Sequence, residues 1–329
     1  MNSPSQPPVV VGVDGSDHSL RALDRAVEEA VLRGAPLEVL CGMPPYRFAP
    51  GAGRVDTGST EAPGGAGGTE ATAGGADEEG TGKEPAGGDG DEHRRALRRH
   101  FRHVAEAAAE RARESAPGLR VEPVVTDETA VAALVHAGRR AALTVVGTRG
   151  HGGFTGLLLG SVGLRVASHI EGPLMVVRGD NDRLHHAVVV GVEYGTDTDA
   201  VRYGFEEARR RAAALRVLHA WELPVHAVGA LAPPPTRYLE EIAEQQARYE
   251  EGVALEAVAE LREAYPDVDA RTETVYAGPG HALVEAGAGA DLVVLATHRR
   301  HRRFGMHLGP VTHAVLHHAH CPVVLVPTG

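Results

Sequence analysis

The segment Leu143–Ser161, which reads LTVVGTRGHGGFTGLLLGS, decides how the rest of the chain is interpreted. A short apolar run ends in Gly147, a second glycine stands at Gly150, and nine residues later Gly160 and Ser161 open a stretch compatible with a helix. This order of strand, loop and helix is how an α/β sheet builds an anion pocket, because the free N–H groups at a helix start carry partial positive charge. We therefore predict a nucleotide-phosphate loop in this segment, where glycine lets the backbone approach a phosphate and adopt positive φ.

An altered copy of the segment lies near the carboxyl end. Ala296 and Arg299 replace the first two glycines, and after nine residues Gly309 and Pro310 replace the Gly-Ser pair. The arginine would fill space that phosphates need, the alanine resists positive φ, and the proline removes a hydroxyl and a backbone donor. Proline also suits the first position of a helix. We therefore expect this copy to keep its fold and to lose most of the binding site.

The repeat extends over the whole chain. Val9–Asp14 (VVVGVD) recurs as Val188–Glu193 (VVVGVE), and the amphipathic stretch Ala22–Ala35 recurs as Ala200–Ala213. Strands alternate with helices in the same order in both halves, which is typical of βαβ units and a parallel sheet. The sequence therefore predicts an α/β fold made by tandem repetition of a whole domain rather than one large unrepeated sheet.

The predicted domain limits follow from composition. We expect a flexible tail at 1–8, a first domain at 9–178, a linker at 179–184 and a second, degenerate domain at 185–329. Within the first domain, residues 49–92 form a tract rich in Gly, Ala and acidic residues. Such a tract buries too little apolar surface to offset its chain entropy, so we predict that it is disordered. It is either an inert insertion or a regulatory lid near the nucleotide.

Charge and cysteine content exclude several functional classes. The chain has 329 residues, 33 Lys and Arg, 44 Asp and Glu, and a net charge of −11. An acidic chain binds nucleic acid poorly, and no apolar run is long enough to span a membrane. Cys41 and Cys321 lie in strand-like runs without metal-ligand spacing. We interpret both as small core residues in a reducing compartment, which favours the cytoplasm.

With these motifs in place, the chain resembles the universal stress protein family in a tandem two-domain form. The nucleotide-binding members carry Gly, two residues, Gly, nine residues and Gly-Ser/Thr. The segment Leu143–Ser161 fits this motif at each position. Gly12–Ser16 and Gly172–Val177 also fit the family pattern. The resemblance covers nearly everything except the tail and the acidic tract. One position departs, because Gly163 stands where many members have a second serine.

The resemblance implies two open, doubly wound, five-stranded parallel sheets of order 3-2-1-4-5 with helices on both faces. Members pair through their last strands, so the two halves would form an intramolecular pseudo-dimer. The resemblance also implies ATP, or a related adenine nucleotide with or without Mg²⁺, at the carboxyl ends of the strands. This agrees with the general rule that ligands bind where strand order reverses, here between strands 1 and 4.

Individual roles follow from chemistry and from the family. The Asp14 carboxylate either accepts ribose hydroxyls or caps a helix or a solvated turn, and Arg149 either pairs with phosphate or faces solvent. Val13 and Cys41 are adenine-pocket candidates through apolar contact or backbone groups. We assign no catalytic residue and no metal ligand. The predicted cofactor-binding residues are Val13, Asp14, Cys41, Gly147, Arg149, Gly150, Gly160, Ser161 and Val162.

The loop of the altered copy near the carboxyl end contains many His and Arg residues between His298 and His307. It either binds an anion or is solvated. His313 and His317 follow at a spacing of four residues, which can hold zinc, although no carboxylate or cysteine completes a ligand set.

The leading functional hypothesis is an ATP-binding stress-response regulator or adaptor of the bacterial cytosol. It would show at most weak ATPase activity, because no P-loop lysine follows the glycines. Two alternatives stay open: a slow Mg²⁺-dependent ATPase, and an interaction scaffold that binds no nucleotide. We expect an adenine nucleotide and an unidentified protein as partners, and neither nucleic acid nor membrane. Association of two whole chains into a homodimer also stays open.

Overall fold

A computed structural model describes residues 6–43, 88–148, 160–179, 183–193, 197–222, 236–298 and 308–328; for 88–91 and 236–243 it describes the backbone alone. None of the helices within these ranges is long and apolar enough to cross a bilayer.

The two halves repeat one order of elements. The described part of the first half contains β1 Val9–Gly12, α1 Asp17–Arg33, β2 Leu37–Gly42, α2 Gly88–Ser115, β3 Val121–Thr126, α3 Ala130–Gly138, β4 Leu143–Gly147, α4 Ser161–Ala167 and β5 Leu174–Val177. The described part of the second half contains β6 Ala187–Val192, α5 Thr198–Arg211, β7 Ala214–Trp221, α6 Thr236–Ala264, β8 Ala270–Tyr276, α7 Pro279–Gly287, β9 Leu292–His298, α8 Pro310–His318 and β10 Val323–Thr328.

All strands that the structure describes lie in one sheet of order β3-β2-β1-β4-β5-β10-β9-β6-β7-β8. Each half therefore has the predicted order 3-2-1-4-5 with parallel neighbours, which confirms the α/β fold. The last strands β5 and β10 pair antiparallel, with Met175 opposite Val324. The predicted pairing through the last strands thus joins two five-stranded sheets into a single sheet, which has ten strands among the described residues.

Helices cover both faces because the strands are apolar on both sides. Side chains that alternate along β1 point to opposite faces: Val9 and Val11 belong to the core under α1, α2, α5 and α6. Val10 belongs to the core under α3, α4, α7 and α8. All three valines are fully buried. The near-continuous Val and Leu runs of the sequence are therefore explained by burial on both faces.

Element ends depend on capping. Helix α1 begins at Asp17 because the Ser16 side chain accepts a hydrogen bond from the Ser19 N–H, and it ends at Gly34, whose φ of +61° is left-handed. Helix α2 begins at Gly88, so residues 88–92 of the tract predicted to be disordered are helical; residues 49–87 lie outside the described residues. The last residue of the tail that we predicted to be flexible is bound to the fold, because the Pro8 carbonyl accepts a hydrogen bond from the Ala142 N–H at 2.8 Å.

Helices α1 and α5 meet across the joint between the halves through a ring of four charged side chains. Glu29 and Glu207, at equivalent positions of the repeat, are fully buried, and the side chains of Arg33 and Arg211 are less than a tenth exposed. Each arginine contacts both carboxylates. The ring therefore balances two buried negative charges with two buried positive charges.

Candidate nucleotide site

Three predicted residues form a row across neighbouring strands. The register pairs Gly12 with Leu40, so the next residue, Val13, lies level with Cys41. It also pairs Val11 with Val145, so two residues further along Val13 lies level with Gly147. The hydrogen bond from the Val13 N–H to the Leu40 carbonyl, 2.9 Å long, continues the pairing beyond β1. This row lies at the carboxyl ends of β2, β1 and β4, where strand order reverses.

The side chains of Val13 and Cys41 belong to the core. They are 6% and 1% exposed and pack in the cluster under α1 and α2. Burial raises the pKa of the Cys41 thiol to about 11, and the nearby Asp14 carboxylate adds to the increase. The thiol is therefore protonated and apolar in character, as expected for a core cysteine. Contacts from these two residues to a ligand would come from their backbone groups.

Asp14 organises the turn that leads into α1. Its Oδ1 accepts from the Ser16 N–H at 3.0 Å and from the Ser16 hydroxyl at 2.6 Å. Its own N–H donates to the Ser19 hydroxyl at 3.3 Å. Gly15, between them, has a φ of +85°. The turn-capping alternative is thus present in the structure, and it fixes the carboxylate beside the end of β1.

Gly147 must be a glycine because the backbone of helix α1 passes close to it, and not because its φ is positive. A Cβ at this position would lie 2.4 Å from the carbonyl oxygen of His18 on α1. Gly147 is an ordinary strand residue, and Gly160 has a φ of −70°. Our prediction of positive φ is therefore wrong at Gly147, where close packing against the α1 backbone requires the glycine. Within the described residues the positive-φ glycines are Gly15, Gly34, Gly118 and Gly179.

A backbone hydrogen bond joins the described residues on either side of the loop. The Gly160 N–H donates to the Thr148 carbonyl at 2.5 Å, and α4 begins at once with Ser161. Gly160 offers no capping side chain, and the first helical hydrogen bond runs from the Leu164 N–H to the Gly160 carbonyl. The N–H groups of the first turn therefore have no acceptor within the helix.

The remaining predicted residues divide into two groups. Ser161 and Val162 are exposed at the start of α4. Arg149 and Gly150 lie outside the described residues. The structure thus places seven of the nine predicted residues at two neighbouring features, the row of strand ends and the start of α4.

Sequence reasoning missed two residues beside this crevice. The His18 Nδ1 lies 3.4 Å from the Thr148 hydroxyl and 2.6 Å from a guanidinium nitrogen of Arg21. Thr148 stands inside the glycine motif, so its position was a usable signal. His18 gave no signal, because its place depends on α1 starting at Asp17.

The equivalent row of the second half is filled differently. Val192 pairs with His219 and, by extension of the register, lies level with Ala296. His219 takes the place of Cys41 and is 2% exposed. Its Nδ1 lies 3.0 Å from the Val192 carbonyl and its Nε2 lies 2.7 Å from the Glu250 carboxylate on α6. A buried polar pair therefore occupies the level at which the first half has apolar side chains.

The acidic residues near the end of β6 are also arranged differently from Asp14 at the end of β1. Glu193 stands at the position of Asp14 but is exposed. The Glu193 N–H donates instead to the Asp197 carboxylate at 2.5 Å, and this carboxylate lies 3.4 Å from the His298 Nε2. Burial raises the pKa of Asp197 above its ordinary value.

The histidine pair of α8 has the spacing that was considered above for zinc. His313 and His317 stack with ring centroids 5.9 Å apart. Burial lowers the pKa of His317, and His313, Arg178 and His318 lower it further. Among the described residues, no group of three or more His, Cys, Asp or Glu is placed to hold a metal ion. Residues 299–307 of the basic loop lie outside these residues.

Comparison with known proteins identifies the family. The model of the universal stress protein family matches residues 7–178 and 185–327, so the chain belongs to this family. Universal stress protein Rv1996 of Mycobacterium tuberculosis is 29% identical over 338 residues, which cover 96% of this chain and 94% of the relative.

Two solved structures extend the comparison. A universal stress protein from Archaeoglobus fulgidus DSM 4304 covers 98% of this chain, and 99% of its own chain is covered, with 14% identity and a TM-score of 0.65; this likeness supports the fold. A shorter universal stress protein from Archaeoglobus fulgidus, solved in complex with dAMP, is 20% identical and covers 44% of this chain and 97% of its own, with a TM-score of 0.28.

Proposed function

We propose that the first domain binds ATP or a related adenine nucleotide and that the chain acts as a nucleotide-dependent regulator or adaptor in the stress response of the cytosol. The observation that supports this most is the convergence at the β1–β4 crevice. Asp14 is fixed at the end of β1, and the start of α4 is held beside the end of β4 by the bond between Gly160 and Thr148. This combines an acceptor for hydroxyls with donors for phosphates.

The proposed contacts follow from these groups. Phosphate oxygens would accept from the first-turn N–H groups of α4 and from the Ser161 hydroxyl, because a helix N-terminus favours anions. The Gly150 backbone and the Arg149 side chain would complete the phosphate site. Ribose hydroxyls would donate to Asp14, and the adenine would lie against the backbone of Val13 and Cys41.

Magnesium would be held mainly by the phosphates. Asp14 is the carboxylate that the described crevice offers, and its Oδ1 is engaged with Ser16. A nucleotide site without a protein ligand set for the metal suits binding better than rapid hydrolysis. We therefore favour a regulator whose bound state is read by an unidentified protein partner, with at most slow ATP hydrolysis.

The second domain would serve as the structural partner of the first. We propose domain limits of 9–178 and 185–329, with the linker at 179–184. Pro310 removes one first-turn N–H of α8, whose cap Gly309 supplies no side chain. His219 engages the carbonyl of Val192 that a ligand would otherwise reach. Both features reduce the groups available to a nucleotide.

Titration calorimetry of the full chain with ATP, ADP, cAMP and dAMP tests the proposal. We expect one binding site per chain. Gly150→Arg, which copies Arg299, should abolish binding in a folded protein, whereas Arg299→Gly in the second domain should leave the stoichiometry and affinity unchanged. The proposal is wrong if the parent chain binds none of these nucleotides, or if Gly150→Arg binds ATP as tightly as the parent.

A further inference from the structure

The two outer edges of the ten-stranded sheet differ at one equivalent position. The Arg120 carbonyl, just before β3, accepts from the Leu37 N–H, and the Thr126 carbonyl at the end of β3 accepts from the Met43 N–H. Even-numbered residues of β3 thus bond to β2, and the backbone groups of odd-numbered residues, including Pro123, point outward. Proline has no N–H, so the middle of this edge lacks its outward donor.

The outer edge of β8 keeps the central N–H group that the outer edge of β3 lacks. The Asp269 carbonyl accepts from the Leu215 N–H, and the Trp221 carbonyl accepts from the Ala277 N–H. Odd-numbered residues therefore bond to β7, and even-numbered residues such as Thr272 present N–H and C=O outward. Thr272 pairs with Val217 as Pro123 pairs with Val39, so the two positions are equivalent in the repeat.

The start of both edges is covered in the same way. Arg113 donates to the Val121 carbonyl and Arg262 donates to the Ala270 carbonyl, each at 2.9 Å. The difference between the edges is therefore confined to their middle and carboxyl parts. In the part of the chain that the structure describes, no strand pairs with the outer edge of β8. An edge strand with regularly spaced free groups is a template for another strand.

We propose that β8 is an association edge that pairs antiparallel with β8 of a second copy of this chain. A two-fold arrangement is self-complementary, because the same strand supplies both sides. Pairs across it must join even-numbered residues with even-numbered residues, since only these present outward groups. The register with Thr272 facing Thr272 of the partner meets this condition and places Arg271 opposite Glu273 twice.

Charge selects this register over its neighbours. A shift of two residues in one direction places Glu273 opposite Glu273 of the partner, and a shift in the other direction places Arg271 opposite Arg271. Like charges directly opposite each other destabilise a strand pair, whereas opposite charges stabilise it. Arg216 already holds Glu273 through contacts of 2.7 and 2.9 Å and lowers its pKa, so the carboxylate is ionised and fixed in place.

The partner arginine has room to reach this carboxylate. The Arg271 side chain is 71% exposed, and its present contact with Asp269 is at the surface, where such pairs contribute little. A seven-residue strand buries a small interface, so the dimer should be weak and dependent on concentration. This association does not depend on nucleotide binding in the first domain.

Sedimentation equilibrium of the full chain at low ionic strength, over a series from micromolar to millimolar protein, tests the proposal. We expect a monomer–dimer equilibrium. Thr272→Pro removes the central N–H from both copies and should raise the dimer dissociation constant at least about tenfold. The native Pro123 shows that the fold accepts proline at this position. The matched control Thr272→Val keeps the N–H and should dimerise like the parent.

A charge-mixing experiment tests the register. Arg271→Glu and Glu273→Arg should each weaken self-association, because each puts like charges opposite one another across the pair. An equimolar mixture of these two variants should associate more tightly than either alone, since opposite charges then meet at both positions. A parent chain that stays monomeric throughout the series overturns the proposal. It is also overturned if Thr272→Pro does not weaken the dimer, or if the mixture associates no better than the single variants.

Discussion

Arg33 on α1 donates a hydrogen bond of 2.6 Å to Glu207 on α5, and thereby joins the first half of the chain to the second. The repeat supplies the reverse contact, from Arg211 to Glu29. Tyr203 adds a hydroxyl 3.1 Å from Arg33. Because each half contributes one glutamate and one arginine at equivalent positions, the contact has the symmetry of a dimer interface within a single chain.

Removal of one acid from this ring should be strongly destabilising. Glu207→Ala leaves two buried guanidinium groups sharing one carboxylate, and the loss of one partner from a buried ion pair costs about 3–5 kcal/mol. The neighbouring Glu206→Ala is the control, because Glu206 is half-exposed and contacts Arg210 at 3.4 Å; it should cost about 0.5 kcal/mol or less. Urea unfolding measures both. Equal losses in the two variants would contradict a special role for the ring.

The ring also makes a prediction about acid stability. Burial raises the pKa of Glu29, but Arg211, Arg33 and Arg25 outweigh burial and lower it from 4.5 to about 2. A depressed carboxylate pKa means that the stabilisation is complete above pH 4.5 and disappears as the pH falls toward 2. Glu29→Gln should therefore flatten the dependence of the free energy of unfolding on pH in this window. An unchanged slope would show that Glu29 does not titrate there.

Asp14 should affect nucleotide affinity beyond its structural role. Asp14→Ala removes the proposed ribose acceptor and should weaken ATP binding by about 1–3 kcal/mol, the range for hydrogen bonds to charged groups. Ser16→Ala is the matched control, because it removes the hydroxyl contact with Asp14 and the α1 cap, at a cost of about 1 kcal/mol in stability, while it keeps the carboxylate. Calorimetry should show near-parent affinity for the control. If both variants lose affinity equally, the turn matters and the carboxylate does not.

Gly147 should resist even a methyl group. Gly147→Ala would place Cβ 2.4 Å from the His18 carbonyl, so β4 or α1 must move, and forced shifts of this kind typically cost about 1–3 kcal/mol. The second half carries Ala296 at the equivalent position, and Ala296→Gly serves as the control. Thermal unfolding should report a clear loss for the first variant and a smaller one for the second. An unchanged midpoint for Gly147→Ala would mean that the crevice relaxes freely.

The order of elements was predictable because alternating apolar runs and amphipathic stretches recur in both halves. The residue at which α1 starts was harder to predict, because it depends on one capping contact of Ser16. The matched Glu-Glu-Ala sequences in the two first helices were visible, yet a helix pattern assigns both glutamates to a polar face. Only the pairing of β5 with β10 brings Glu29 and Glu207 together and buries them.

The candidate site was predictable where the motif fixes spacing and less so where contacts are tertiary. The row of strand ends and the start of α4 followed from the glycines and from strand order. The reason for Gly147 did not, because it depends on the path of α1 past β4. The pair of His219 with Glu250 joins a strand to a helix 31 residues further along the chain. No local pattern marks such a pair.

The most direct test of the nucleotide site is a crystal structure of the full chain grown with excess ATP. We predict density for the nucleotide at the crevice between β1 and β4, with phosphate oxygens within hydrogen-bond distance of the Ser161 and Val162 N–H groups and a ribose hydroxyl at Asp14. We predict no nucleotide between β6 and β9. An empty first crevice, or nucleotide in the second crevice alone, would contradict the proposed site.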